Sequence, residues 1–261
     1  MRPSADFIED KDYAPRIPVK NRIFDATSEY QHIEVYDTLH LGNMLVLDGA
    51  VQTTERDEFI YHESLVLPAI AISESVSSAL IIGGGDGGAA REVFRICDDA
   101  DVEIVEIDPM VIDTSSKFLP GISAALPRTK VTIGDGTEFI RNSRDRRDVI
   151  LVDSTDPNPL AEGLFSESFY RRARDLCDVF VAQTESPLAD REAHMRAVNN
   201  MKRAFEHVYT YYACIPTYPG AIFSFTIGLK RELGQIRSLK AEARYYSRDL
   251  FLASMGTRWT L

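Results

Sequence analysis

The chain has 261 residues and carries 29 lysines and arginines against 40 aspartates and glutamates, which gives a formal charge of −11. With 44% hydrophobic residues, it has the composition of a globular protein that buries a full core. The acidic balance argues against nucleic-acid and anionic membrane partners, both of which need basic patches. Three scattered cysteines without a CxxC pair favour a reducing, cytoplasmic location. No signal peptide is expected, and no apolar run reaches the ~18 residues of a membrane helix.

Residues 1–58 are predicted to form a small antiparallel β-sheet domain. Alternating or apolar stretches at residues 33–36, 44–47 and 50–54 are typical of short strands. Turn signals around Gly42 and at Asp48-Gly49 separate these stretches.

Residues 59–261 are predicted to form an α/β domain, because strands and helices alternate there. The predicted strands are residues 78–82, 102–105, 130–133, 148–152 and 179–182, and the predicted helices are residues 59–71, 89–96, 109–118, 136–142, 166–177 and 191–205. Strands that are apolar on both faces and alternate with helices indicate a doubly wound parallel sheet. Residues 207–214 and 221–229 are expected to add an antiparallel edge hairpin, and residues 232–261 to be helical in part.

Each of the first four predicted parallel strands is followed by acidic residues. Ligands of open parallel sheets bind beyond the carboxyl ends of the strands, so these acids are expected to share one cleft. Each acid could also serve as a helix N-cap, an alternative that the sequence leaves open. The acids in chain order are Asp86, Glu106, Asp135, Asp153 and Asp156.

The loop Gly83-Gly-Gly-Asp-Gly-Gly88 decides between classes of ligand. Glycine-rich loops usually hold a pyrophosphate on backbone N–H groups, but the carboxylate of Asp86 would repel phosphate. Glu106 follows Gly83 by 23 residues, close to the ~20-residue spacing of acids that hold ribose hydroxyls. Asp135 could accept a hydrogen bond from the amine of adenine. The pattern therefore predicts a nucleoside without phosphate, such as an S-adenosyl sulfonium.

These motifs together resemble those of the polyamine aminopropyltransferases, the family of spermidine synthase. The matching segments are Ser28-Glu-Tyr-Gln31, residues 42–49, residues 52–63, residues 80–88, residues 105–108, residues 117–120, Gly134-Asp-Gly136, Asp153-Ser-Thr-Asp-Pro157 and Ile215-Pro-Thr-Tyr-Pro219. They run in order over residues 28–230, and their combination is specific although each alone is not.

The resemblance implies a Rossmann-like domain of the methyltransferase type behind a small N-terminal β-domain, assembled as a homodimer or homotetramer. It implies transfer of the aminopropyl group of decarboxylated S-adenosylmethionine to a diamine, usually putrescine, with release of methylthioadenosine. The expected ligands are then cationic small molecules. Because a sulfonium is already a good leaving group, neither a metal nor a cofactor beyond this co-substrate is expected.

The resemblance also assigns roles by matching position. It implies that Asp153 orients and deprotonates the attacking amine. Glu106 is expected to hold the ribose and Asp135 the adenine, while Asp86 binds the donor ammonium. The other implied donor-binding residues are Gln31, His62, Gly83 and Gly136, and the implied acceptor-binding residues are Tyr61, Asp156, Tyr218 and Gln52.

One departure from the family pattern leaves the acceptor open. Where the family has a Gly-Pro-Ala segment in the loop over the site, this chain has Asn158-Pro-Leu-Ala-Glu-Gly163. Agmatine, cadaverine, a triamine or a specialised amine therefore stays possible as acceptor. An alternative is transfer of a 3-amino-3-carboxypropyl group, for which Arg56 or Arg91 could hold the extra carboxylate. A silent sulfonium-nucleoside binder and a nucleic-acid methyltransferase fit less well, because Asp153 and Tyr218 are present and a basic stripe is lacking.

Overall fold

The computed structural model describes residues 5–239 and 242–255 and contains two β-sheets. The five antiparallel strands of the N-terminal sheet pair in chain order. They are β1 (Ala5–Phe7), β2 (Ile17–Thr27), β3 (His32–Thr38), β4 (Asn43–Leu47) and β5 (Ala50–Thr54). The three strands predicted from the sequence are confirmed as β3, β4 and β5, whereas β1 and β2 are not anticipated.

The strand β2 is not predicted from the sequence because its alternation of apolar and polar residues is interrupted. Its pairing with β3 shifts register between Val19 and Asn21 and again between Arg22 and Phe24. Each shift inserts a residue and reverses which side chains face inward, so the two-residue period is lost. Most of its later side chains are also exposed or half-buried.

The second sheet has seven strands in the order β11-β12-β10-β9-β6-β7-β8. Its elements are α1 (Glu58–Ile72), β6 (Ser78–Gly83), α2 (Gly88–Ile96), β7 (Asp101–Glu106), α3 (Pro109–Phe118), β8 (Lys130–Ile133), α4 (Gly136–Asn142), β9 (Arg147–Asp153), α5 (Glu167–Leu176), β10 (Cys177–Gln183), α6 (Arg191–Ala204), β11 (His207–Cys214), β12 (Ile222–Leu229) and α7 (Arg248–Met255), with 3₁₀ helices at Ser123–Arg128 and Glu162–Phe165. The predicted strands and helices are confirmed to within one or two residues at each end.

The five strands from β10 to β8 are parallel, and β11 and β12 form the antiparallel edge hairpin that the sequence predicts, with β12 paired to β10. Side chains of β6 alternate between two hydrophobic clusters. Ile81 packs with α1 and α2, and Ile82 packs on the opposite face with α4 and α5. Burial of both faces explains the continuous apolar runs of these strands.

The N-terminal sheet packs against α3. Ile33, Leu45 and Leu47 form one cluster with Val111 and Leu119. This contact places the loop before β3 beside the carboxyl ends of the parallel strands. The domain boundary between residues 58 and 59 stays a prediction, and it coincides with the start of α1.

The predicted partial helix in residues 232–261 is α7, while residues 240–241 and 256–261 of that stretch lie outside the described residues. Within residues 5–239 and 242–255, no helix has the length and apolarity needed to cross a membrane.

Candidate active site

One cavity opens at the carboxyl ends of the parallel strands and is closed on one side by the N-terminal sheet. Strands β6, β7, β8 and β9 lie side by side and end at this edge, as the parallel topology requires. All twelve residues predicted for the site line this cavity, namely Gln31, Gln52, Tyr61, His62, Gly83, Asp86, Glu106, Asp135, Gly136, Asp153, Asp156 and Tyr218. The structure therefore brings the predicted residues together, and their individual roles stay predictions.

The glycine-rich loop after β6 is locked to the end of β9. Gly83 has a φ of +80°, and a Cβ there would lie 2.1 Å from the carbonyl oxygen of Asp153. The next residue, Gly84, donates its N–H to that same oxygen at 2.7 Å. Only glycine combines this conformation with so close an approach. The loop thereby fixes the backbone of Asp153 at the floor of the cavity.

Glu106 at the end of β7 is tied to the same loop. Its carboxylate accepts hydrogen bonds from the N–H groups of Gly85 at 3.1 Å and Asp108 at 3.0 Å. Burial raises the pKa of Glu106 to about 7, although these backbone hydrogen bonds lower it. A buried carboxyl with further acceptor capacity suits a pair of ribose hydroxyls, because hydroxyl groups satisfy it without bringing in charge.

Gln31 is held at the cavity by Asp108, a residue that is not among those predicted for the site. The fully buried Asp108 accepts hydrogen bonds from Gln31 Nε2 at 3.0 Å and from Ser28 Oγ at 2.6 Å. It also caps α3 by accepting the N–H of Met110. The bond to Asp108 engages one N–H of the Gln31 amide and fixes the side chain, and the amide oxygen and the second N–H stay available to a ligand. Asp108 thus links the N-terminal sheet to the cavity.

Asp135 is both a helix N-cap and a residue of the cavity, the two alternatives that the sequence leaves open. It caps α4 by accepting the N–H of Thr137 at 2.7 Å, and it also lines the cavity. Gly136 follows at the first position of that helix, where a Cβ would lie 2.3 Å from Ile82 Cγ2. The backbone at the end of β8 therefore approaches the sheet closely.

His62 holds Asp86 in place. Its Nδ1 lies 2.7 Å from Glu58 Oε2, and its Nε2 lies 3.3 Å from Asp86 Oδ2. Burial by itself lowers the pKa of His62, but the two carboxylates, led by Asp86, raise it well above its ordinary value. For Asp86, burial raises the pKa, whereas the charge of His62 and the N–H of Gly88 lower it to below the ordinary value. The pair is therefore an imidazolium facing an ionised carboxylate.

The engagement of both ring nitrogens bears on the role of His62 and on metal binding. The resemblance implies that His62 helps Asp86 to bind the donor, and the geometry gives that help an indirect form, through the orientation and charge of Asp86. His62, Asp86 and Asp153 offer ligand atoms within 4.8 Å of one another. An imidazolium has no free lone pair for a metal, so this group suits a cationic ligand better than a metal ion.

Asp153 presents a buried oxygen without a protein partner. Its Oδ2 accepts no hydrogen bond among the described residues. Burial, followed by the charge of Asp86, raises the pKa of Asp153 to about 6, although His62 and the hydroxyl of Tyr61 lower it. Tyr61 and Tyr218 stand beside it with ring centroids 5.9 Å apart. Tyr218 donates its hydroxyl to the carbonyl of Gln52 at 2.5 Å. The two rings touch edge to face, and this arrangement suits an amine that donates to Asp153 while its carbon chain lies along the aromatic wall.

The far end of the cavity contains three ionisable residues that are not among those predicted from the sequence, namely Glu9, Lys11 and Glu185. Lys11 forms an ion pair with Asp156, and its Nζ lies 3.6 Å from Glu9 Oε1. Glu185 lines the same end, is buried, and has an Oε1 without a hydrogen-bond partner in the described part of the chain. The rule that strand ends carry ligands could have found Glu185, because it follows β10. Glu9 and Lys11 lie in an irregular segment that carries no such signal.

The loop over the site, residues 158–163, differs in sequence from the resembled family, but it is ordered by its own hydrogen bonds. Asn158 Oδ1 accepts the N–H groups of Leu160 and Ala161, each at 2.9 Å. The carbonyl of Asn158 also accepts the N–H of Glu162 at 2.8 Å. Leu160, Ala161 and Leu164 line the cavity on this side. Asn158 therefore closes a turn, and the residues that follow it form an apolar wall of the cavity.

Comparisons with known proteins extend over nearly the whole chain. Residues 58–237 match the spermine/spermidine synthase domain, and residues 7–55 match the spermidine synthase tetramerisation domain. Polyamine aminopropyltransferases of Thermoanaerobacter sp. (strain X514) and Desulforudis audaxviator (strain MP104C) are each 38% identical, covering 95% of this chain and 94% of the relative.

Solved structures agree with these relatives. A spermidine synthase in complex with the transition state analogue AdoDATO has a TM-score of 0.91 at 31% identity, covering 98% of this chain and 93% of that one. Spermidine synthase from Thermotoga maritima gives 0.90 at 31% identity, with 98% and 92% covered. The predicted α/β Rossmann-like fold with an N-terminal antiparallel sheet is thus confirmed.

The raised pKa of Glu106 predicts a pH dependence of stability. Because its pKa of about 7 exceeds the ordinary 4.5, the folded protein binds this proton more tightly than the unfolded chain. Stability from this group is present at low pH and is lost as the pH rises towards 7. Urea unfolding at about pH 5 and about pH 8 measures this loss. The free energy of unfolding of wild type should fall by about 2 to 3 kcal/mol more between these pH values than that of Glu106→Gln.

The matched control for this experiment is Glu138→Gln, which alters an exposed glutamate in the first turn of α4. This variant should keep the wild-type pH dependence. An equal pH dependence in Glu106→Gln and wild type would show that Glu106 titrates normally in the folded protein.

Proposed function

Because the chain belongs to the spermine/spermidine synthase family and is a polyamine aminopropyltransferase, we propose that it transfers the aminopropyl group of decarboxylated S-adenosylmethionine to a diamine, with putrescine as the first candidate. The observation that carries the proposal is the buried, unpartnered Oδ2 of Asp153 beside Asp86. It supplies a proton acceptor where two cationic substrates would meet.

The donor half of the cavity matches a nucleoside whose side chain ends in an ammonium. Glu106 and Gln31 are proposed to hold the ribose, and Asp135 with the backbone of Gly136 the adenine. Asp86 is then left for the ammonium of the aminopropyl group, with Gly83 in the adjoining backbone. Asp86 is ionised through its contact with His62, so it can pair with a cation without first losing a proton.

The charges around the cavity favour the decarboxylated donor over intact S-adenosylmethionine. Among the described residues that line the cavity, Lys11 is the one lysine or arginine, and it is paired with Asp156 at the far end. Arg56 is exposed and does not line the cavity, and Arg91 is paired with Glu58 and Glu92. The carboxylate of an intact donor would therefore lie near Asp86, and the imidazolium of His62 is already paired with Asp86 and Glu58, so the added negative charge is costly.

The proposed reaction is an in-line displacement. The acceptor nitrogen forms a bond to the methylene carbon next to sulfur, the C–S bond breaks, and its electron pair neutralises the sulfonium as methylthioadenosine leaves. The acceptor gives up one proton to Asp153. A free alkylammonium has a pKa of about 10.4, so deprotonation at neutral pH costs about 4 to 5 kcal/mol. The nearby sulfonium and donor ammonium lower that cost because they disfavour a third positive charge.

The acceptor is proposed to lie along a wall formed by Tyr61 and Tyr218, with Asp156 and Gln52 towards its second end. We further propose a homo-oligomer, a dimer or tetramer, supported by the match of residues 7–55 to a tetramerisation domain. A cytoplasmic location and the absence of nucleic-acid and membrane partners stay predictions.

The proposed function predicts which substrates release methylthioadenosine. Purified protein should be incubated with decarboxylated or intact S-adenosylmethionine against 1,4-diaminobutane, 1,5-diaminopentane, agmatine and a triamine, and the products measured by mass spectrometry. Release is expected with the decarboxylated donor and a diamine, because only that donor matches the charges of the cavity. Release from the intact donor alone would favour 3-amino-3-carboxypropyl transfer, and no release with any pair would overturn the proposal.

A second prediction concerns the base. Asp153→Asn should lower kcat by about 10³-fold, because the amide cannot accept the amine proton at neutral pH. Donor binding, measured by calorimetry, should be retained, since Asp86 and Glu106 stay in place, and it should weaken far less than the rate because one neighbouring negative charge is lost. Asp113→Asn, which changes an exposed aspartate of α3, serves as the matched control. A near-normal rate in Asp153→Asn would remove Asp153 from the role of base.

A further inference from the structure

The far end of the cavity already contains an alkylammonium that belongs to the protein. Lys11 forms an ion pair with Asp156 and lies 3.6 Å from Glu9, and these residues line the same cavity as Tyr61 and Tyr218. The side chain of lysine is a butylammonium, so it has the charge and the carbon chain of one half-ionised 1,4-diaminobutane. The ammonium of Lys11 is therefore bound to the carboxylates that the second ammonium of a diamine acceptor would contact.

The charges around Lys11 are arranged for a cation. Burial by itself lowers the pKa of Lys11, but the facing carboxylates, led by Asp156, raise it above its ordinary value, so the side chain is charged. For Glu185, burial and the charge of Asp156 raise the pKa well above its ordinary value. Its Oε1 is buried and accepts no hydrogen bond within the described residues. This end of the cavity thus offers a hydrogen-bond acceptor, Glu185 Oε1, to which Lys11 does not donate.

The backbone holds Lys11 at this position, while the side chain is able to leave. Glu9 Oε2 accepts the N–H of Val51 at 3.0 Å, and the carbonyl of Tyr13 accepts the N–H of Gly220 at 3.0 Å. The segment is thus attached on both sides of the cavity. The side chains of Lys11 and Asp156 are, however, 31% and 34% exposed, so water can replace their contact if the lysine turns outward.

We propose that Lys11 is a built-in competitor for the second ammonium of a diamine acceptor, and that it sets how strongly the enzyme prefers diamines over monoamines. This inference rests on the proposed amine-acceptor function and adds a residue that determines specificity. A diamine must displace Lys11 from Asp156, whereas a monoamine of equal length binds at Asp153 without disturbing the pair. Removing the ammonium of Lys11 exposes the carboxylates to the second charge of the substrate.

The test compares 1,4-diaminobutane with n-butylamine, which has the same carbon chain and one ammonium. The proteins are wild type, Lys11→Met, Lys11→Gln and Lys11→Arg. The ratio of kcat/KM for the diamine to kcat/KM for the monoamine should rise by about tenfold or more in Lys11→Met and Lys11→Gln, because two ammonium groups no longer compete for the same carboxylates. Lys11→Arg keeps the charge and should keep the wild-type ratio.

Lys20→Met is the matched control, because it removes a lysine from an ion pair with an aspartate, Asp37, away from the cavity. It should keep the wild-type ratio. A ratio in both Lys11→Met and Lys11→Gln that stays near the wild-type value, or falls, would overturn the proposal. Thermal unfolding of each variant identifies a protein that fails to fold. If one of Lys11→Met and Lys11→Gln fails, the ratio measured with the other one tests the proposal.

A measurement without turnover separates this inference from the proposed function. Calorimetry in the presence of methylthioadenosine should show a Kd for 1,4-diaminobutane about tenfold lower in Lys11→Met than in wild type, with little change for n-butylamine. An unchanged Kd for the diamine, or no binding to either protein, would overturn the role of Lys11. Failure to release methylthioadenosine with any amine would overturn the proposed function alone.

Discussion

The contact between His62 and Asp86 is the interaction on which the chemistry of the cavity depends. Burial disfavours ionised carboxylates, and this cavity gathers several of them at one sheet edge. His62, held by Glu58, compensates Asp86 across 3.3 Å and keeps it ionised. Among the described residues no cation forms an ion pair with Asp153, whose pKa rises because it is buried and faces the charge of Asp86. The cavity thus holds the ionised Asp86 beside Asp153, a carboxyl of raised pKa, and the cationic substrates proposed above would compensate this pair.

Contacts between distant segments give this arrangement its rigidity. The glycine-rich loop after β6 donates backbone N–H groups to the carbonyl of Asp153 and to the side chain of Glu106, which end the strands on either side of β6. The N-terminal sheet adds Gln31 through the buried Asp108. Because the polar groups are fixed before substrate binds, little reorganisation is needed when the sulfonium and the amine meet.

Much of the fold, and the gathering of the predicted site residues in one cavity, could be predicted from the sequence. Apolar strands buried on both faces and an acid at each strand end are local patterns, and the parallel topology turns them into one cleft. The strand β2 could not be predicted, because its two register shifts remove the period. Lys11 and Glu9 could not be placed, because an irregular segment carries no periodicity and their partners are far away in the chain. The positioning role of His62 likewise depends on Asp86, which lies on another element.

The central claim is that the cavity holds negative charge that awaits a cationic donor. Carbon-13 NMR of labelled aspartate side chains, with Asp153→Asn for assignment, measures the pKa of Asp153 in the free protein and with decarboxylated S-adenosylmethionine bound. The account predicts a pKa of about 6 in the free protein and a clear decrease when the sulfonium and ammonium bind. A pKa near the ordinary 3.8 in the free protein, or one unchanged by the donor, would contradict it.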